Sequence, residues 1–162
     1  MFPETCVRRA DCLWTLIGEW HGLSTGGDAA DHGAALVGRA TLSEPAQRVL
    51  GGGRVRLSDY AHQEEGTDSG RYFKNPLGGM GQYYLGPLSE LGLLARGRSR
   101  VVTVGFTKEL GREMAEAVDA VADRAAFFRA IDGDEVDAAT LSGLVGFCPC
   151  GLLHSTREHQ AH

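Results

Sequence analysis

The sequence has no run of the roughly 18 consecutive apolar residues that a membrane-crossing helix needs, and its first residues lack the charged, apolar and small-residue zones of a secretory signal. Both absences point to a cytoplasmic chain with no membrane partner. Cysteine is scarce as well. Its four copies in 162 residues fall in two pairs, Cys6 with Cys12 and Cys148 with Cys150, too few for a miniature scaffold held by disulfides, so reduced thiols are expected. Several motifs of enzyme classes are missing. Gly51-Gly52-Gly53 is followed by no Lys-Ser or Lys-Thr, which removes a phosphate-cradling loop, and no nucleophile elbow occurs. Asp132-Gly133-Asp134-Glu135 is too short for a calcium loop. His32 with Asp28 and Asp31, and His62 with Glu64 and Glu65, sit in glycine-rich polar stretches with no second convergent group, so neither reads as an acid–base centre. A non-enzymatic protein is expected.

What the chain does have is a globular composition, 43% apolar and 23% charged, with 23 glycines clustered at 26–27, 51–53 and 78–79. That is about twice the usual glycine share and implies loops between short elements. The net charge of −5 is unevenly spread. Residues 1–70 carry six arginines against ten acids, residues 71–112 seven cations against two acids, and residues 113–162 three arginines against nine acids. The middle block is therefore a local basic surface between acidic flanks, and local basicity is what phosphate binding requires.

Hydrophobic spacing predicts a helix from Arg8 to Trp20, with Val7, Leu13, Trp14, Leu16, Ile17 and Trp20 on its apolar face and Gly22 at its end. Ser43-Glu44-Pro45 reads as a helix start running to Leu50, with Ser43 as cap. Arg54–Leu57 alternates like a strand, and Ser58–Gly70 reads as an exposed loop. A helix is expected near Met80, interrupted around Gly86-Pro87 and capped by Gly92, with Tyr83, Leu88 and Leu91 in the core. Val101–Val104 is the best strand candidate. Helices are expected from Thr107 through Val121, from Arg124 to Ile131 and from Asp137 to Val145.

The order from Gly79 to Val121 is an apolar-spaced segment ending in Leu91-Gly92-Leu93-Leu94, a basic turn Arg96-Gly97-Arg98-Ser99-Arg100, a β-branched run and a Thr-initiated helix. This order resembles a winged-helix domain over residues 79–122. The resemblance implies a mainly α fold, winged helix-turn-helix-like, with a small β-hairpin and extra flanking helices. The chain then divides into an N-terminal helical and loop-rich segment (1–70), a winged-helix-like core (71–122) and C-terminal helices with a polar tail (123–162). The expected function is non-enzymatic nucleic-acid binding, as a regulator or as a subunit of a larger DNA-handling system. Arg96, Arg98, Arg100, Lys74 and Lys108 would contact phosphates, and Gln82, Tyr84 and Ser89 would face the groove. Double-stranded DNA is the expected partner. The alternative is a protein-interaction module in which the wing docks a partner chain or a second copy.

A second constellation is Cys148-Pro149-Cys150 with His154 and His159, four zinc-type ligands within twelve residues. One residue between the cysteines is fewer than the usual two to four, so buried structural cysteines are favoured over a metal site and no cofactor is expected, zinc being the one admitted. Tyr72-Phe73-Lys74-Asn75, Gly78 to Leu88 and Cys148 to Leu152 are also similar to a family of longer bacterial proteins. That similarity implies a piece or relative of a larger assembly component and lends no catalytic residues.

Overall fold

The computed structural model describes residues 3–26, 32, 36–61, 75, 77–96 and 104–151. Among the described residues the chain is mainly helical with two small antiparallel sheets of two strands each. Its axis is helix α1 (Pro3–Thr25), against which helices from both halves of the chain pack. Helix α2 (Arg39–Leu50), strand β1 (Val55–Arg56) and the short helix α3 (Ser58–Ala61) come next. A π-helical turn at Met80–Tyr84 runs directly into α4 (Leu85–Glu90), and β2 (Leu94–Arg96) pairs with β3 (Val104–Phe106). Helices α5 (Leu110–Asp119) and α6 (Arg124–Gly133), strand β4 (Glu135–Val136), helix α7 (Ala138–Gly143) and a 3₁₀ turn at Val145–Phe147 complete the described chain.

Three stripes on α1 organise the packing. The first is apolar: Cys12, Leu13, Leu16, Ile17 and Trp20, all buried. Burying each large side chain is worth about 1.5–3 kcal/mol. The two glycines within the helix, Gly18 and Gly22, cost only about 1 kcal/mol each. This balance explains why α1 passes through Gly22, where the sequence suggested an end, and stops beyond Thr25 at Gly26 with φ +64°.

The second stripe is polar and also buried, comprising Arg8, Asp11, Thr15 and Glu19. Buried polar groups need partners. Asp11 accepts a hydrogen bond from the Met80 N–H, Thr15 donates to the Val37 carbonyl, and Glu19 forms an ion pair with Arg39. These bonds dock the start of the π turn and the approach to α2. On the third stripe, Trp14 and His21 receive the C-terminal segment, and Gly18 and Gly22 receive His32. The Trp14 indole N–H donates to the Phe147 carbonyl at 2.9 Å.

Helix α2 begins at Arg39, four residues before the expected cap, and Pro45 lies inside it. Leu42, Pro45, Ala46 and Val49 are all buried at helical spacing, so packing against α1 outweighs the backbone bond that proline forfeits. Leu50 ends it at the glycine run, as the sequence indicates. Strand β1 pairs with β4, Val55 opposite Val136 and Arg56 opposite Glu135. Asp134, in the left-handed region at φ 65°, fixes this join by accepting from the Ser58 N–H and hydroxyl and by pairing with Arg9. Ser58–Ala61 therefore forms a helical turn with Ala61 buried, whereas the sequence suggested exposed loop; residues 62–70 lie outside the described residues.

Gly92 caps α4 in the expected way. At φ +72° it places its own N–H on the Ser89 carbonyl and the Leu93 N–H on the Leu88 carbonyl, the paired bonds of a Schellman ending. Residues 101–103 of the expected strand lie outside the described residues. The core draws on α1, α2, β1, α6, β4, α7 and the two C-terminal cysteines, so residues from 12 to 150 share one cluster.

Candidate metal centre

At the C-terminal half of α1, four ligand groups from three chain segments converge. His21 comes from the helix itself, His32 from the connection to α2, and Cys148 and Cys150 from the turn after the 3₁₀ segment. Their ligand atoms all lie within 4.8 Å of one another. Cys148 Sγ stands 3.5 Å from His32 Nδ1, Cys150 Sγ stands 3.4 Å from His21 Nδ1, and the two sulfurs are 3.3 Å apart. The imidazole rings meet edge to face at 4.8 Å between centroids.

The local sequence explains this convergence. Gly18 and Gly22 are four apart on α1 and flank His21. A Cβ on Gly18 would fall 2.5 Å from the His32 carbonyl oxygen, and one on Gly22 would meet the His32 Cβ at 3.2 Å. The two glycines are therefore a track on which His32 lies directly against the helix. Cys148 and Cys150 are brought to the same side by a tight turn, closed by the Gly151 N–H on the Cys148 carbonyl at 3.0 Å. Pro149 between them stiffens that turn.

The donor set fits a tetrahedral zinc-class ion. Zinc–sulfur bonds of about 2.3 Å and zinc–nitrogen bonds of about 2.0 Å place sulfur and nitrogen about 3.5 Å apart and two sulfurs about 3.7 Å apart. The observed sulfur–nitrogen separations match, and the sulfur pair is a few tenths of an ångström closer. Protonation is consistent with the same reading. Burial pushes the Cys148 thiol up to about 12, so a nearby cation is what would favour its thiolate. Burial, helped by His32, holds His21 below the usual imidazole range and so in its neutral, ligating form.

His154 and His159, named from the sequence as partners of the cysteines, lie outside the described residues. The histidines that meet the cysteines are His21 and His32, which sequence proximity did not suggest. Asp28 and Asp31, read beside His32, lie outside the described residues, as do His62, Glu64 and Glu65.

Comparison with protein-family models, curated proteins and solved structures finds no match to this chain.

The residues expected to contact nucleic acid come from the middle of the chain, between the segments that supply the cluster. Gln82 is exposed, and its side-chain amide donates to the Tyr83 hydroxyl. Tyr84 is half-buried with its ring against Trp14, and burial raises its phenol above the usual range. The Ser89 hydroxyl donates to the Leu85 carbonyl within its own helix. Arg96 ends β2 opposite Val104, and Lys108 is exposed between the hairpin and α5. Lys74, Arg98 and Arg100 lie outside the described residues. Tyr83 and Leu91, expected in the core, are exposed, and neither the π turn nor α4 buries any residue fully. Beside the hairpin lies an apolar hollow of about 420 Å³, with Leu88, Leu94, Phe106, Met114, Phe127 and Phe147 among its walls.

Proposed function

We propose that this chain is a non-enzymatic, zinc-stapled helical module. The observation that carries the reading is the meeting of His21, His32, Cys148 and Cys150 within 4.8 Å. Four protein ligands leave no open position for substrate, which is the arrangement of a structural rather than a catalytic zinc site. The ion would be held by two thiolates and two neutral imidazoles. Its effect would be to clamp His32 and the Cys148–Cys150 turn onto α1, linking segments more than one hundred residues apart in sequence. Hard cations are disfavoured by a sulfur and nitrogen donor set without carboxylates.

Cobalt(II) substitution tests this directly. The purified chain should develop the intense visible absorption of a tetrahedral thiolate site, saturating at one equivalent. Absence of that band in folded protein would remove the reading.

A second reading keeps double-stranded DNA as partner through a winged-helix-like region. What favours it is the antiparallel β2–β3 pair following the Gly92 cap, with Arg96 at the end of β2 and Arg98 and Arg100 in the connection between the strands. Fluorescence anisotropy with random duplex across a salt series decides it. Affinity should fall steeply with salt and weaken when Arg96, Arg98 and Arg100 are replaced by alanine. Binding indifferent to both changes, or no binding, would leave the hairpin to a protein partner.

A further inference from the structure

The two metal-binding sulfurs are also the nearest redox partners for each other. Cys148 Sγ and Cys150 Sγ are 3.3 Å apart on one tight turn, and a disulfide bond requires about 2.0 Å. The other two cysteines are elsewhere. Cys12 is sealed in the core beneath α1, and Cys6 lies near the start of that helix. The ligand set is thus divided into a half that can be oxidised as a pair and a half, His21 and His32, that cannot. His21 is only part-buried, so the cluster has a side near solvent that a small oxidant can approach.

We infer that the centre is a redox-released zinc site, in which oxidation joins Cys148 to Cys150 and expels the ion. This rests on the zinc reading above. The oxidant is a peroxide. One thiolate attacks a peroxide oxygen, breaking the O–O bond and giving a sulfenic acid and hydroxide. The second thiolate attacks the sulfenic sulfur, forming the S–S bond and expelling a second hydroxide. Two electrons pass from the two sulfurs to the peroxide, and both thiolate ligands are consumed. Two neutral imidazoles remain, too few to hold zinc against solvent, so the ion leaves and the clamp on His32 and the C-terminal turn opens. A thiol reductant returns two electrons, regenerates the ligands and restores the site.

The experiment uses the full zinc-loaded chain treated with hydrogen peroxide, with released zinc followed by a pyridylazo-resorcinol indicator. Cys148 and Cys150 both fall between Arg129 and Arg157, so one tryptic peptide reports their state. The expected result is zinc release in proportion to a two-hydrogen mass loss in that peptide, with both reversed by reductant followed by zinc. A Cys150→His variant keeps four ligands but cannot form the disulfide. At peroxide doses that empty the unmodified chain, it should lose zinc only as oxygen adds to Cys148, with no two-hydrogen mass loss. If that variant does not fold, the peptide mass still decides. Zinc retained at doses that oxidise other thiols, or zinc lost with added oxygen on the cysteines and no disulfide, overturns the inference while leaving the zinc site standing. A chain that takes up no zinc at all overturns both.

Discussion

Asp11 carries an electrostatic cost that its position makes visible. Its carboxylate is buried on α1, where it receives the Met80 N–H at the start of the π turn. Burial raises its pKa from 3.8 to about 6, against the lowering effect of the Met80 and Gly79 hydrogen bonds. Arg8 one turn earlier, Cys12 beside it and Tyr84 from the π segment are the ionisable groups around it. The folded state therefore binds a proton more tightly than the unfolded chain. Its contribution is fullest below about pH 4 and is lost as pH rises through about 6, a change on the order of 2–3 kcal/mol. Asp11→Asn keeps an oxygen for the Met80 N–H without the charge. Urea denaturation should show the unmodified chain losing stability relative to this variant as pH rises from about 4 through about 6; parallel profiles would contradict the assignment.

Because a Cβ added at Gly18 would meet the His32 backbone and not a flexible side-chain tip, Gly18→Ala should cost about 1–3 kcal/mol and weaken zinc binding. Gly133→Ala, whose Cβ would meet nothing within 4 Å, is the control and should leave zinc affinity unchanged. Equal zinc affinity in the two variants would show that His32 does not depend on this close approach.

Thr107 holds the hairpin to α5. Its hydroxyl donates to the Gly92 carbonyl at 2.6 Å and accepts from the Gly111 N–H at 2.8 Å, tying the end of α4, the exit of β3 and the first turn of α5 through one atom. Thr107→Val preserves shape and removes both bonds, with an expected loss of about 1–2 kcal/mol. Thr107→Ser should recover most of it. Amide exchange should quicken in residues 110–114 of the valine variant and not in α1; unchanged exchange would show the hydroxyl to be dispensable.

The sequence was most legible where a local rule was left unopposed. Asp123 and Asp137 accept from backbone N–H groups three residues on, so α6 and α7 begin where the pattern indicates, and Gly92 ends α4 by the local chemistry of a left-handed glycine. It misled where tertiary burial outweighed a local preference. Pro45 and Gly22 both read as boundaries, and both lie inside helices because one faces the core and the other makes room for His32.

For the whole molecule, the same contrast applies to the candidate centre. Half of it was visible as Cys148-Pro149-Cys150. The rest was hidden because its histidines come from positions more than one hundred residues earlier, and sequence distance favoured His154 and His159. The available signal was Gly18 and Gly22 on either side of His21, a small-residue face that only a close-packed neighbour explains. The apolar stripe of α1 gives the body a core independent of any ion, so zinc is expected to reinforce the fold and not to create it. Chelation should lower the melting temperature by roughly 6–12 °C, for a loss of about 3 kcal/mol in a chain of this size. No helix among the described residues is long and apolar enough to cross a membrane.

The most direct test of the central claim is the zinc content of the purified chain, measured by elemental mass spectrometry after growth with added zinc. The zinc-staple reading predicts about one zinc per chain, and close to none in a folded Cys148→Ser, Cys150→Ser double variant. Folded protein with far less than one equivalent, or a double variant that keeps its zinc, would contradict it.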